Sequence, residues 1–117
     1  MDFAEKGRLQ YGVQFDGKWH YDFEVRIPTV KDNIIAVEQY GTLSGIRVSF
    51  AMMVACINYL GDIPKEKLTL DFLMDGIVDA DFDALEQAII RAKKKRELQH
   101  PDLKAITPPA SSLAVTE

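Results

Sequence analysis

Apolar and polar residues alternate strictly in two stretches near the N-terminus. Leu9, Tyr11, Val13 and Phe15 form the first apolar set; Trp19, Tyr21, Phe23, Val25 and Ile27 form the second. A period of two predicts two strands, each with one buried face. Asp16-Gly17 lies between them and predicts a hairpin. A two-residue loop would set Phe15 against Lys18, so odd positions would oppose even ones and the two apolar sets would face opposite ways. Both sets occupy odd positions. The pattern therefore favours a three-residue loop, Phe15-Asp16-Gly17, with Gly17 left-handed in a bulge, Val13 facing Trp19 and Tyr11 facing Tyr21. Trp19 and Phe23 are then expected in the core.

After Pro28 the period lengthens to that of a helix. Thr29 is a candidate N-cap, with Asp32 three residues on to serve the first turn. A helix from about Val30 to Tyr40 is expected to offer Val30, Ile34, Ile35 and Val37 to the core, and Gly41 stops it. A second helix is expected from about Ser44 to Leu60, with Gly61 as its C-cap. At 100° per residue, Ile46, Phe50, Met53, Ile57 and Leu60 line one side of it. Val48, Ala51, Met52, Ala55 and Tyr59 occupy most of the other. A helix apolar nearly all round must be buried on two sides. Val48, Met52, Ala55 and Tyr59 are therefore the candidate partner-binding surface. The alternative is that the hairpin covers one side and the remaining helices cover the other.

A short helix after Pro64, or capped by Thr69, carries Leu70, Leu73 and Met74. A last helix starts near Asp79 and runs through Phe82, Leu85, Ala88, Ile89 and Ala92 to Lys93-Lys94-Lys95-Arg96, and His100-Pro101 breaks it. The expected fold is α+β: an N-terminal antiparallel β-hairpin followed by three to four packed α-helices. These make one domain over residues 1–100. A flexible C-terminal tail is expected over 101–117, where Pro108-Pro109 and Ser111-Ser112 replace periodicity.

Composition narrows the function classes. The chain has 117 residues, 14 basic and 18 acidic, with net charge −4 and one cysteine, Cys56. One cysteine forms no internal disulfide and no cysteine-based metal cluster, which favours a reducing compartment. The acidic opening of the chain predicts no signal peptide, and the longest apolar stretch, Ile46 to Leu60, is too short to span a bilayer. Charge is polarised: residues 62–86 carry net −6 and residues 87–104 net +4. Acid at the start of the last helix and base at its end match the helix dipole. On a net acidic chain, Lys93 to Arg96 make a poor nucleic-acid footprint.

Candidate catalytic chemistry is sparse. Asp79-Ala80-Asp81-Phe82-Asp83 opens like a calcium loop, but such a loop needs Gly at its sixth position and Glu at its twelfth, where this chain has Ala84 and Ile90. His20 and His100 lack companions at metal-ligand spacing. Cys56 sits in an apolar run as a core residue would. Gly41-Thr42-Leu43-Ser44-Gly45 has no following Gly-Lys-Ser/Thr and is no phosphate loop. No catalytic residue, cofactor site or metal site is assigned, and the chain is not expected to be an enzyme.

Several segments, taken in order, resemble a family. Tyr11-Gly12-Val13-Gln14-Phe15-Asp16-Gly17-Lys18 leads into Phe23-Glu24-Val25-Arg26-Ile27-Pro28-Thr29-Val30-Lys31-Asp32. Further on come Leu60-Gly61-Asp62-Ile63-Pro64, Leu68-Thr69-Leu70-Asp71-Phe72-Leu73 and Asp81-Phe82-Asp83-Ala84-Leu85. Over roughly residues 8 to 96 this order resembles the tail assembly chaperones of Mu-like phages with contractile tails. The family pattern is a hairpin with an Asp-Gly turn, an Arg-x-Pro-Thr segment and an Asp in the first helical turn.

The resemblance implies a non-catalytic role in the host cytoplasm. Such chaperones bind the long, helical tape measure protein, keep it soluble while the tail tube forms, and are absent from the mature virion. The tape measure protein, and through a frameshifted longer product the tail tube protein, are the implied partners. Lys93-Lys94-Lys95 is a candidate slippery site for that frameshift, against the plainer reading of a lysine-rich helix end. Self-association is left open; nucleic acid and membrane are not expected. The rival readings are a small structural component of the phage tail or head-completion apparatus, and a small regulator or nucleic-acid binder, which would need a clustered basic face.

Overall fold

Two positive φ angles set the hairpin. Asp16 (54°) and Gly17 (77°) are both left-handed, as a two-residue type I′ turn requires. In the computed structural model, which describes residues 3–42 and 44–98, this turn joins β1 (Glu5–Phe15) to β2 (Lys18–Val25). Phe15 pairs with Lys18, Gln14 with Trp19 and Val13 with His20. The expected three-residue loop does not form, and Val13 does not face Trp19.

The parity conflict is resolved lower in the strands. Arg8 pairs with Asp22 and Val13 with His20, so four residues of β1 stand against Tyr21 alone. The three extra residues change the register by an odd number, and below them Gly7 faces Phe23 and Glu5 faces Val25. Leu9, Val13, Phe23 and Val25 are all buried as a result. Trp19 stays at the tip opposite Gln14 and is 55% exposed, as is Tyr11. The expectation of a buried Trp19 is thus corrected, while that for Phe23 holds.

The bulge is held from the last helix, α4 (Asp79–Leu98). The Asp81 carboxylate accepts hydrogen bonds from three successive backbone N–H groups: Gln10 at 2.9 Å, Tyr11 at 3.0 Å and Gly12 at 2.9 Å. Gly12 takes φ +86°, and a Cβ there would lie 2.7 Å from the Tyr21 ring, so glycine is required twice over. Asp81 is 1% exposed. Burying a carboxylate is costly without partners. Here three charge-assisted bonds and the first turn of α4 offset that cost. At the far end of α4, Lys95 and Arg91 pair with Glu5 at 2.8 and 3.3 Å, tying the start of β1 to the same helix.

A second polar clasp starts the helices. Thr29 caps α1 (Val30–Tyr40) as expected, and Asp32 accepts from the Thr29 N–H at 2.7 Å, which completes a capping box. Asp32 also takes both arms of Arg26, at 2.7 and 2.9 Å. Arg26 donates further to the carbonyl of Ala55 at 3.0 Å, the last residue of α2 (Gly45–Ala55). One guanidinium thereby joins the end of β2, the start of α1 and the end of α2.

The helix expected over 44–60 stops at Ala55. Cys56 turns the chain, and Ile57–Leu60 form β3, antiparallel to β2 in a sheet of order β1-β2-β3. The free edge of β2 explains the switch: Arg26 N–H bonds the Cys56 carbonyl and Gly61 N–H bonds that of Asp22. Ile57 and Leu60 are buried in either conformation, so helical periodicity alone could not separate the two. A 3-10 turn (Lys65–Lys67) and α3 (Leu70–Gly76), capped by Thr69, follow. The architecture is α+β. Phe82, Leu85, Ala88, Ile89 and Ala92 of α4 are buried as expected, and α4 packs mainly on β1. The tail expected over 101–117 and His100 lie outside the described residues.

The apolar face of α1 is the largest departure. Val30, Ile34, Ile35 and Val37, expected in the core, are all exposed; Ala36 and Asp32 are the buried residues. The Arg26 clasp fixes the rotation of α1 by holding Asp32 inward. The small Ala36 is then buried on the same side, and the large residues on the other side are turned out.

Two outcomes follow from the clasps. Asp81→Ala should cost about 3–5 kcal/mol in urea denaturation, because three N–H donors lose their acceptor. Asp83→Asn, exposed two residues on, should stay within roughly 0.5 kcal/mol.

Arg26 holds the Asp32 carboxyl well below the usual carboxylate range, with the Thr29 N–H adding to the effect. A lowered folded-state pKa means stability that is present above the unfolded value near ~4 and lost as pH falls below it. The stability deficit of Asp32→Asn relative to wild type should therefore be large at neutral pH and shrink under acid. Equilibrium unfolding of both proteins across the acid range measures it.

Candidate protein-binding surfaces

Thr69 accepts from the Phe72 N–H at 3.1 Å and starts α3, which buries Leu70 and Leu73 while Met74 is left 48% exposed. After α3 the chain turns at once into α4. Phe82 of α4 meets Phe50 of α2 edge-to-face at 4.8 Å between centroids. The three helices do not close fully above this pair. They leave a cleft of about 230 Å³ lined by Phe50, Leu70, Leu73, Met74, Ile77, Asp79 and Phe82. Small-molecule pockets run from roughly 300 Å³ upward. This smaller, apolar, methionine-edged cleft suits a protruding side chain of a protein partner.

The four residues singled out as a partner surface do not share one helix face. Val48, Met52 and Ala55 are half-buried on α2, and Ala55 shares a groove with Gln39 and Tyr40 of α1. Tyr59 is on β3 and is exposed, beside Trp19 and Tyr21 in a groove floored by His20 and Gly61. His20 is buried there, and its Nδ1 accepts from the Asp62 N–H at 3.1 Å. The sequence reading missed the cleft because Met74 and Ile77 look like ordinary core positions until α3 and α4 are placed. It missed the outward face of α1 because Val30, Ile34 and Val37 have the spacing of a core stripe.

Asp79, Asp81 and Asp83 do not converge: Asp81 turns into the β1 bulge, while Asp79 and Asp83 are exposed. Among the described residues no group of three or more His, Cys, Asp or Glu is placed to hold a metal ion, and no helix is long and apolar enough to cross a membrane. Comparison with family models, with curated proteins and with solved structures finds no match to this chain.

Cys56 is fully buried at the end of α2, and burial pushes its thiol up to about 11. A buried, protonated thiol is a poor nucleophile. Cys56 should therefore resist disulfide-exchange reagents in the native protein and titrate fully on unfolding, as an absorbance assay with an aromatic disulfide reads directly.

Proposed function

We propose that this chain is a tail assembly chaperone of a Mu-like, contractile-tailed phage, binding the tape measure protein without catalysis. The observation that carries this reading is the open apolar cleft between α2, α3 and α4, edged by Met74. A folded module with one such cleft receives an apolar side chain from an amphipathic helix and shields it from aggregation. The cleft is small and open, so each contact is weak. Weak contacts repeated along a long helical client would keep it soluble and still let tube subunits displace the chaperone. The ordered resemblance over residues 8 to 96 supports the same reading. On this reading the protein acts in the host cytoplasm and is absent from the mature virion, with the tail tube protein as a second partner.

Co-expression with the tape measure protein encoded nearby should raise the soluble yield of the client and give a complex on size-exclusion chromatography. Met74→Asp puts a charge at the rim of the cleft and should abolish the complex while leaving the circular dichroism unchanged. Ile90→Asp, on an exposed position of α4 outside the cleft, should leave the complex intact. An insoluble client with no complex across client fragments refutes the role. Retention of the protein in purified particles identifies a structural tail component instead.

A further inference from the structure

The outward face of α1 has a feature that an uncovered apolar patch alone lacks. Val30, Ile34 and Val37 are 75%, 54% and 50% exposed and follow the i, i+4, i+7 spacing of a helix seam. At 100° per residue they lie opposite Asp32 and Ala36, the two residues that α1 buries. Ile46, in the first turn of α2 just past the α1–α2 connection, is 64% exposed. Lys31 and Glu38 flank this seam. They are seven residues apart, hence two turns apart in one row on one flank.

Both charges are wrongly placed for an isolated helix. Lys31 lies in the first turn of α1, where the dipole disfavours a cation, and Glu38 in the last, where it disfavours an anion. Among the described residues neither side chain has an ion-pair partner. A second α1 running antiparallel removes both conflicts. With the two-fold axis level with the midpoint between Ile34 and Ile35, Lys31 of each copy stands level with Glu38 of the other. The two Ile34 residues then sit within one helical rise, about 1.5 Å, and Val30 interleaves with Val37 of the other copy. An in-register parallel pairing would put the Lys31–Glu38 rows of the two copies on opposite flanks, where neither charge meets its complement.

We propose that α1 is a self-association surface: two copies of this chain pair antiparallel along the Val30–Ile34–Val37 seam, with Lys31 of each beside Glu38 of the other. The contact is isologous, so it closes at the dimer and does not propagate into a filament. An 11-residue helix paired with its copy falls short of the roughly 800 Å² per partner of a standard interface, so the dimer is weak and concentration-dependent.

Sedimentation velocity on the full chain between about 1 and 500 µM should show a monomer–dimer equilibrium. Ile34→Asp, at a position already exposed in the monomer, should leave the circular dichroism unchanged and abolish the dimer. Lys31→Glu and Glu38→Lys should each weaken it roughly tenfold or more, since each sets two like-charge pairs across the axis. Mixing the two single variants should restore dimerisation as a heterodimer, because both cross-axis pairs then become attractive. A monomer at every concentration overturns the proposal and leaves the α1 face to a different protein. A dimer insensitive to Ile34→Asp, or one in which the mixed variants gain nothing over either alone, overturns it as well.

Discussion

Three backbone N–H groups in the first strand and one carboxylate in the last described helix join distant parts of this chain. Asp81 reaches from the first turn of α4 to Gln10, Tyr11 and Gly12, about seventy positions earlier in sequence. Without an acceptor at that point the bulge in β1 would bury unpaired donors. Without the bulge, Val13 could not be buried in the same core as Phe23 and Val25. The sheet's apolar face, and with it the seat of α4, depends on this one polar contact.

The Arg26–Asp32 clasp works on the other half of the fold in a similar way. It orients α1 by its polar side and leaves the apolar side turned out. That inverts the usual logic of an amphipathic helix, in which the apolar stripe sets the rotation. Arg26, Thr29 and Asp32 belong to the segment that carries the family resemblance. So do Asp16-Gly17 and Asp81. In this structure each of them turns, caps or clasps the chain, and none lines the cleft. The polar residues of those segments thus determine conformation, while their apolar residues Leu70, Leu73 and Phe82 join Met74 and Ile77 in lining the cleft.

Local signals in the sequence were the most legible. Thr29 caps the helix it is expected to cap, Thr69 caps α3 as one of the two readings of that segment has it, and the α4 stripe from Phe82 to Ala92 is the buried one. The fold class follows from the same signals. What could not be read was decided by contacts distant in sequence. The parity of the two hairpin strands does demand an odd number of extra residues, but the turn was the wrong place to put them. The acceptor that stabilises the bulge lies in α4, and Asp81 looked like one more acid at a helix start. Ile57 to Leu60 has an apolar pattern that fits the end of a helix or a short strand, and the open edge of β2 decides between them. The outward turn of α1 depends on a side-chain pair, Arg26 with Asp32, whose geometry no periodicity encodes.

Separating the turn from the register correction also changes how this hairpin can diverge. The type I′ turn at Asp16-Gly17 only has to reverse the chain, because the phase of the core strands is set farther down by the bulge and Asp81. Residues 14, 15, 18 and 19 can therefore vary in composition, and the hairpin can lengthen by matched pairs, without disturbing which side chains face inward below Val13. A single insertion or deletion between Leu9 and Gly12 has the opposite effect: it shifts the Asp81 acceptor off its donors and flips the strand. The tip is structurally loose and the bulge is rigidly constrained, although both belong to one two-stranded element and their sequences look equally ordinary.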